Sequence, residues 1–276
     1  MKTFHWSTWY HWELFERTDK YFKISVALMI GSYTSMFLRV IPGAQVGLLP
    51  GAFPAYHLCR RIDDISDGDV QLPPEYASYE AMILDLKQSM ATESYPKTML
   101  GQLLQGTVSE YRTELGRDIR CMLSTFLDAM AFERQRRIEA TISTRAQLAD
   151  LYRNSFGVPQ DLAFISACSK IRSADVPELA EAQGRIYAIG DLGSELQRGI
   201  VFIPREALPA GISFEYLRDN NCVMPEVGAW KAEEYVEGRN LLSRLKERKL
   251  DLPAKLVVGF LANGLESRLR EIKATM

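Results

Sequence analysis

The sequence predicts an all-α protein of about ten helices. Three observations carry that reading. Apolar residues recur in steps of three or four, as at Ala182, Ile186, Ile189 and Leu192 and again at Leu115, Ile119, Met122, Phe126 and Met130. Sustained strict alternation of apolar and polar residues, which marks a half-buried strand, is not found. Proline and glycine fall between the periodic stretches, where one removes a backbone donor and the other permits a left-handed turn.

Taken in order, the chain opens on "MKTFHWSTWYHWELFERTDKYF", residues 1–22, which gathers His5, Trp6, Trp9, Tyr10, His11 and Trp12. This aromatic segment is expected to pack on the domain as a helix; a lid or a homodimer contact is the alternative. The apolar run Ile24 to Ile41 follows and stops at Pro42-Gly43. Behind Pro50-Gly51 comes "GAFPAYHLCRR", a largely apolar helix that brings an acidic end to a cavity and is closed by Gly68 and Pro73-Pro74. Pro96, Pro159 and Pro177 separate the middle helices. "FIPREALPAGIS", Phe202 to Ser213, is the longest loop-like stretch of the second half, and Pro253 punctuates the last segment. No linker, low-complexity tract or internal repeat divides the chain, so one domain is expected over residues 1–276.

Composition narrows the function. With 33 basic and 35 acidic residues in 276, the net charge is −2, which leaves no positive excess to follow a nucleic-acid backbone. Cys59, Cys121, Cys168 and Cys222 are too scattered for a zinc site or a disulfide scaffold and read as buried thiols in a reducing cytoplasm. The N-terminus mixes charge and aromatic residues too finely for a signal peptide. Ile24 to Ile41 is broken by Ser25, Gly31, Ser32, Thr34, Ser35 and Arg39, short of the roughly 20 apolar residues that span a bilayer. A soluble cytoplasmic protein without a membrane span is the expectation.

Chemistry concentrates in two acidic clusters. In "RRIDDISDGD" Asp63 and Asp67 stand four apart on one helix face with Asp64 beside them, so their carboxylates share a small volume and require cations. Magnesium, held by one or two carboxylates plus substrate phosphate oxygens, is the usual solution, and Arg60 on the same face suits a phosphate oxygen. Alone, that cluster reads equally well as a solvated helix end. The second, "YAIGDLGSE", repeats the spacing at Asp191 and Glu195 on a mostly apolar helix, and the two together suggest the walls of one magnesium site.

"AYHLCRRIDDISDGD" resembles the first aspartate-rich motif of the squalene/phytoene synthase family, and "RGIVFIPREAL" resembles that family's "RGRxYLPxExL" segment. Counting back from Arg198-Gly199 places Asp191 and Glu195 on the carboxylates of the family's second motif. Ser32-Tyr33, "DAMAFE" (Asp128 to Glu133) and "LADLYRNSFG" fit more loosely. The resemblance runs from about residue 30 to about residue 215. It implies an isoprenoid synthase fold around a central cavity, with Mg2+ at Asp63, Asp64, Asp67, Asp191 and Glu195, of which Asp63, Asp67 and Asp191 are the catalytic ones. It also implies Arg60 on the diphosphate of an allylic prenyl donor, whose departure leaves a carbocation. Tyr33, Phe37, Tyr56, Tyr152, Phe156 and Tyr187 are candidates to line the cavity, each aromatic face steadying a cation by about 0.5 to 2 kcal/mol. Core packing is the competing reading for each singly.

The second motif departs from the family pattern. Tyr187, Gly190 and Ser194 stand where it carries Asn, Arg and an acidic residue, Glu195 replaces its last Asp, and Gly184 replaces a Gln. Head-to-head joining needs grip on two diphosphates, whereas divergent members of the family prenylate aromatic rings such as carbazoles. The expected function is therefore transfer of one prenyl group to a small-molecule acceptor, an aromatic one fitting beside Tyr187 in room left by the glycines. A head-to-head squalene, phytoene or dehydrosqualene synthase is the alternative, with a terpene cyclase third and a binding protein without turnover last. His57, six residues before Asp63, is placed in the core, and Asp69, beyond the Gly68 break, outside the site.

Overall fold

The structure, a computed structural model, describes residues 51–275 apart from Cys222. The expectations for Tyr33, Phe37, the aromatic segment 1–22 and Cys222 lie outside the described residues. Among the described residues there are eleven α-helices, two short 3-10 turns and no strand. The helices are α1 (Ala52–Asp67), α2 (Tyr79–Thr92), α3 (Met99–Leu115), α4 (Arg120–Glu139), α5 (Arg145–Ser155), α6 (Gly157–Ser166), α7 (Pro177–Gly190), α8 (Leu192–Gln197), α9 (Phe214–Asn220), α10 (Pro225–Lys246) and α11 (Leu252–Thr275).

Local chemistry sets the boundaries. Ser78, Thr98, Thr144 and Ser213 each accept a backbone N–H at a helix start, a bond worth about 1 kcal/mol against alanine. Gly68 ends α1 at φ 76°, its N–H returning to the Ile65 carbonyl at 3.2 Å. Three expectations are corrected. The run from Leu115 to Met130 is not one helix: Gly116, at φ 62°, caps α3, and the chain restarts at Arg120. Likewise Leu192 is not on the helix of Ala182, Ile186 and Ile189, because α7 stops at Gly190 and α8 begins after Asp191. Pro159 and Pro253 do not separate helices but sit in the first turns of α6 and α11, where the missing donor has no intrahelical role.

Helix α7 is the central element. Leu179, Ala182, Ile186 and Ile189 are fully or nearly buried, packed with Val227, Trp230, Leu241 and Leu245 of α10 and with Leu265, Leu269 and Ile272 of α11. Each large apolar side chain so buried contributes about 1.5 to 3 kcal/mol. At Gly238 of α10 a Cβ would lie 3.1 Å from Ile186, so the glycine sets how closely the two helices approach. Nearby, Glu234 of α10, itself buried, receives Arg185 of α7 at 2.6 Å. A second group of contacts joins the first half of the chain: Ser66 of α1 donates to the Met130 carbonyl of α4 at 3.0 Å. Arg136 of α4, also buried, donates to the Val201 carbonyl and lies 5.6 Å from the Phe202 ring, which ties the loop after α8 to α4. Of the cysteines, Cys59 is buried as expected, whereas Cys121 and Cys168 are exposed, at an α4 surface position and a turn beyond α6.

Candidate active site

The two acidic segments meet. Asp63 and Asp67 project from the last turns of α1 and lie close to Glu195 of α8: the Glu195 charge bears on Asp63, and the Asp67 charge bears on Glu195. Burial pushes the Asp63 carboxyl up to about 7, with the charges of Asp67, Asp64 and Glu195 adding and Arg60 opposing. The Glu195 carboxyl is raised to about 7 by burial and then by Asp67, opposed by Arg198. Asp67 reaches about 6, through burial and then Asp69, against the pull of Arg60, Arg137 and Arg198. Asp63 nevertheless keeps 29 % of its side-chain surface open, a combination found at the wall of a cleft rather than in a packed core.

Arginines temper this charge. Arg60 reaches Asp63 at 2.5 Å and Asp64 at 2.7 Å, one guanidinium spanning two successive aspartates. Arg198 pairs with Asp69 at 2.8 Å and stands 3.9 Å from Glu195. Asp69, placed outside the site from its position beyond Gly68, therefore lies at its rim, where its charge also acts on Asp67 and Glu195. Asp191 is the junction between α7 and α8 rather than a position inside one helix. Its carbonyl still accepts the Glu195 N–H at 2.9 Å, so the two carboxylates remain one turn apart.

Three contributors have no signature of their role in the sequence. Glu133 of α4, half-buried, is held well above the ordinary carboxylate range by burial and then by Asp67 and Asp63, opposed by Arg136. It ends the segment "DAMAFE", in which no second carboxylate at helical spacing marks it as part of a cluster. Arg268 of α11 donates to Asp191 at 2.5 Å from 77 residues away. Phe202 extends the aromatic wall and has no periodic pattern to announce it.

That wall is a chain of rings. Tyr152 and Phe156 lie 6.3 Å apart, Phe156 stacks on Tyr187 at 6.0 Å with an interplanar angle of 18°, and Tyr152 meets Phe202 at 6.3 Å. Tyr187 is 41 % exposed, so the stack presents an open face. Tyr56 packs edge-on to His57 at 5.5 Å, and burial lowers the His57 imidazole to about 4, so it is neutral at ordinary pH. The room expected at the glycines is filled. A Cβ at Gly184 would fall 2.2 Å from the Tyr152 ring, and one at Gly190 would fall 2.9 Å from Arg268 Nε.

The donors are carboxylate oxygens that repel one another until cations arrive, which suits a hard divalent ion. Among the described residues no three His, Cys, Asp or Glu side chains gather as around a single ion. Magnesium held by one or two carboxylates and completed by phosphate oxygens does not require such a group. No described helix is long and apolar enough to cross a membrane.

No family model matches this chain, and no curated protein is similar to it. Solved structures are. A dehydrosqualene synthase crystallised with a ligand superposes with a TM-score of 0.63 at 16 % identity, covering 82 % of this chain and 76 % of that one. A squalene synthase from Alicyclobacillus acidocaldarius gives 0.62 at 16 % identity, over 91 % of this chain and 95 % of that one.

Proposed function

We propose that this chain, which has the all-α fold of the squalene and dehydrosqualene synthases, is a magnesium-dependent prenyltransferase that ionises one allylic prenyl diphosphate and passes the prenyl group to an aromatic small-molecule acceptor. The observation that carries the reading is the meeting of Asp63 and Asp67 with Glu195, two sequence-distant carboxylate groups whose pKa values are raised first by burial and then by the charges of their acidic neighbours. Asp63, Asp64, Asp67, Asp191 and Glu195 would hold magnesium, with Glu133 beside them. Bound there, the ion would neutralise the diphosphate and act as a Lewis acid on the leaving oxygen.

The chain's own residues do the rest. Arg60 binds diphosphate oxygens with a fork that in the resting site is held by Asp63 and Asp64. Tyr152, Phe156 and Phe202 keep water from the cation and offer ring faces to it. Tyr187, stacked on Phe156 and open on its other side, is the platform against which a flat acceptor lies.

A second reading, head-to-head joining of two prenyl diphosphates, is favoured by the reactions named for both fold neighbours and by the filled space at Gly184, which leaves less room for a flat acceptor than the sequence implied. One experiment separates the two. The protein is incubated with magnesium and prenyl diphosphates of several lengths, with and without carbazole-type aromatic compounds, and released pyrophosphate and products are measured. Release that depends on the aromatic compound supports the first reading; a long hydrocarbon formed without it supports the second. In either case Asp63→Ala lowers kcat/KM by about a hundredfold or more. No release under any condition, with Asp63→Ala binding diphosphate as the unaltered chain does, defeats both.

A further inference from the structure

The end of α7 carries a guanidinium that its own sequence does not supply. Gly190 is the last residue of that helix, and a Cβ placed on it would lie 2.9 Å from Arg268 Nε, 3.1 Å from Nη2 and 3.3 Å from Cζ. The Arg268 head group therefore covers the space that any side chain at residue 190 would need. From there Nη2 donates to Asp191 Oδ1 at 2.5 Å and Nη1 to Glu271 at 3.1 Å, while Nε is buried without an acceptor. The arginine is not a loose surface chain: Leu265, Leu269 and Ile272 are buried around it on α11, so a rigid element delivers it. The charges of both Arg268 and Arg60 reach the Tyr187 phenol, and those two guanidiniums pair with carboxylates of different acidic segments, Arg60 with Asp63 and Arg268 with Asp191.

We infer that Arg268 is a diphosphate-binding residue, a second fork set against Arg60, which in the resting site neutralises Asp191 and keeps 32 % of its side-chain surface open to an incoming polyanion. This rests on the prenyl diphosphate reading above and deepens it. Were Asp191 to hold a divalent ion through Oδ1, Arg268 Nη2 would lose its present acceptor and become available to a phosphate oxygen. The planar fork is the reason an arginine is needed, since a lysine offers a point charge without two parallel donors. The arrangement also explains Gly190 physically. Any larger residue there would displace the head group from Asp191.

The test uses magnesium with inorganic pyrophosphate, titrated calorimetrically into the full chain and its variants, with thermal melting as a check on folding. Arg268→Gln is expected to weaken pyrophosphate binding about ten- to a hundredfold, and Arg268→Lys to recover only part of the loss. In the double variant Gly190→Arg with Arg268→Ala the guanidinium is moved to the other side of the same space, and affinity is expected to return to within about threefold of the unaltered chain. That swap also decides the matter should Arg268→Gln fail to fold. Pyrophosphate binding that Asp63→Asn weakens but Arg268→Gln leaves unchanged would overturn the inference and leave the proposed function standing. Unaltered protein that binds no pyrophosphate with magnesium overturns both.

Discussion

The carboxylates of the site hold their protons more tightly in the fold than in the unfolded chain, and that has a signed consequence for stability. Asp63 and Glu195 move up to about 7 and Asp67 to about 6, in each case first through burial, from an ordinary value near 4. The folded state therefore binds more protons than the unfolded one between about pH 4 and pH 7. Their contribution is present in full below the unfolded value and is lost as pH rises through 6 to 7, so the metal-free protein is expected to melt progressively lower across that window. Asp118, held down at about 2 by its bond with Arg120, works in the opposite direction, so the cluster's share is read as a difference. In Asp63→Asn, which cannot ionise, the fall in Tm between pH 5 and pH 8 should be smaller than in the unaltered chain; an equal fall rules out a repelling cluster. Residue by residue, the spacing of Asp63, Asp67, Asp191 and Glu195 was legible because one helical turn is written in the sequence. Glu133 and Arg268 were not, because each reaches the site from a helix whose sequence does not name its neighbour.

Among the elements, α7 shows how a residue that looks like a loss is a packing requirement. Gly184 read as the replacement of a polar side chain that opened room for a ligand. In the fold, the Tyr152 ring from α5 lies where its Cβ would be, with the nearest ring atoms at 2.2, 2.4 and 2.6 Å. Gly184→Ala must push that ring aside and is expected to cost about 1 to 3 kcal/mol, as over-packing of a filled core does. Tyr152→Ala alone costs more, about 3 to 5 kcal/mol, by analogy with other buried aromatic truncations. The two together should be less harmful than their sum, because the second removes what the first collides with. Urea denaturation of the double-mutant cycle reads the coupling directly, and strict additivity would contradict the contact. Gly199 belongs to the same class: at φ 85° and with its Cβ position 2.8 Å from the Arg137 carbonyl oxygen, it lets the loop after α8 lie against α4. The sequence shows that glycines stand at these places. It does not show which ring or backbone each of them faces.

For the whole molecule, the helical class followed from spacing and from the breakers at Gly68, Pro73, Pro96, Pro177 and Pro204, since both are local properties. The assembly of those helices depends on non-local contacts, and the approach of the C-terminal helix to the second acidic segment had no local signature at all. Asp251 is the anchor of that approach. It caps α11 by accepting the Ala254 N–H at 2.8 Å, and it also accepts Ser169 Oγ at 2.9 and 2.8 Å and the Lys170 N–H at 3.0 Å, joining α11 to the turn beyond α6. Asp251→Ala removes the cap and leaves buried Ser169 without its acceptor, so a loss of about 2 kcal/mol is expected in chemical denaturation. Ser169→Ala, which keeps the cap, should cost less than half as much. Because α11 carries Arg268, the two effects separate a stability anchor from a site anchor. If α11 is seated chiefly by its apolar face, Asp251→Ala lowers the denaturation midpoint and leaves pyrophosphate affinity alone. If the cap sets the register of the helix against α7, affinity falls in Asp251→Ala and not in Ser169→Ala. The burial of Leu265, Leu269 and Ile272 on the Arg268 side favours the first outcome, since those contacts lie next to the arginine and the cap stands at the far end of the helix.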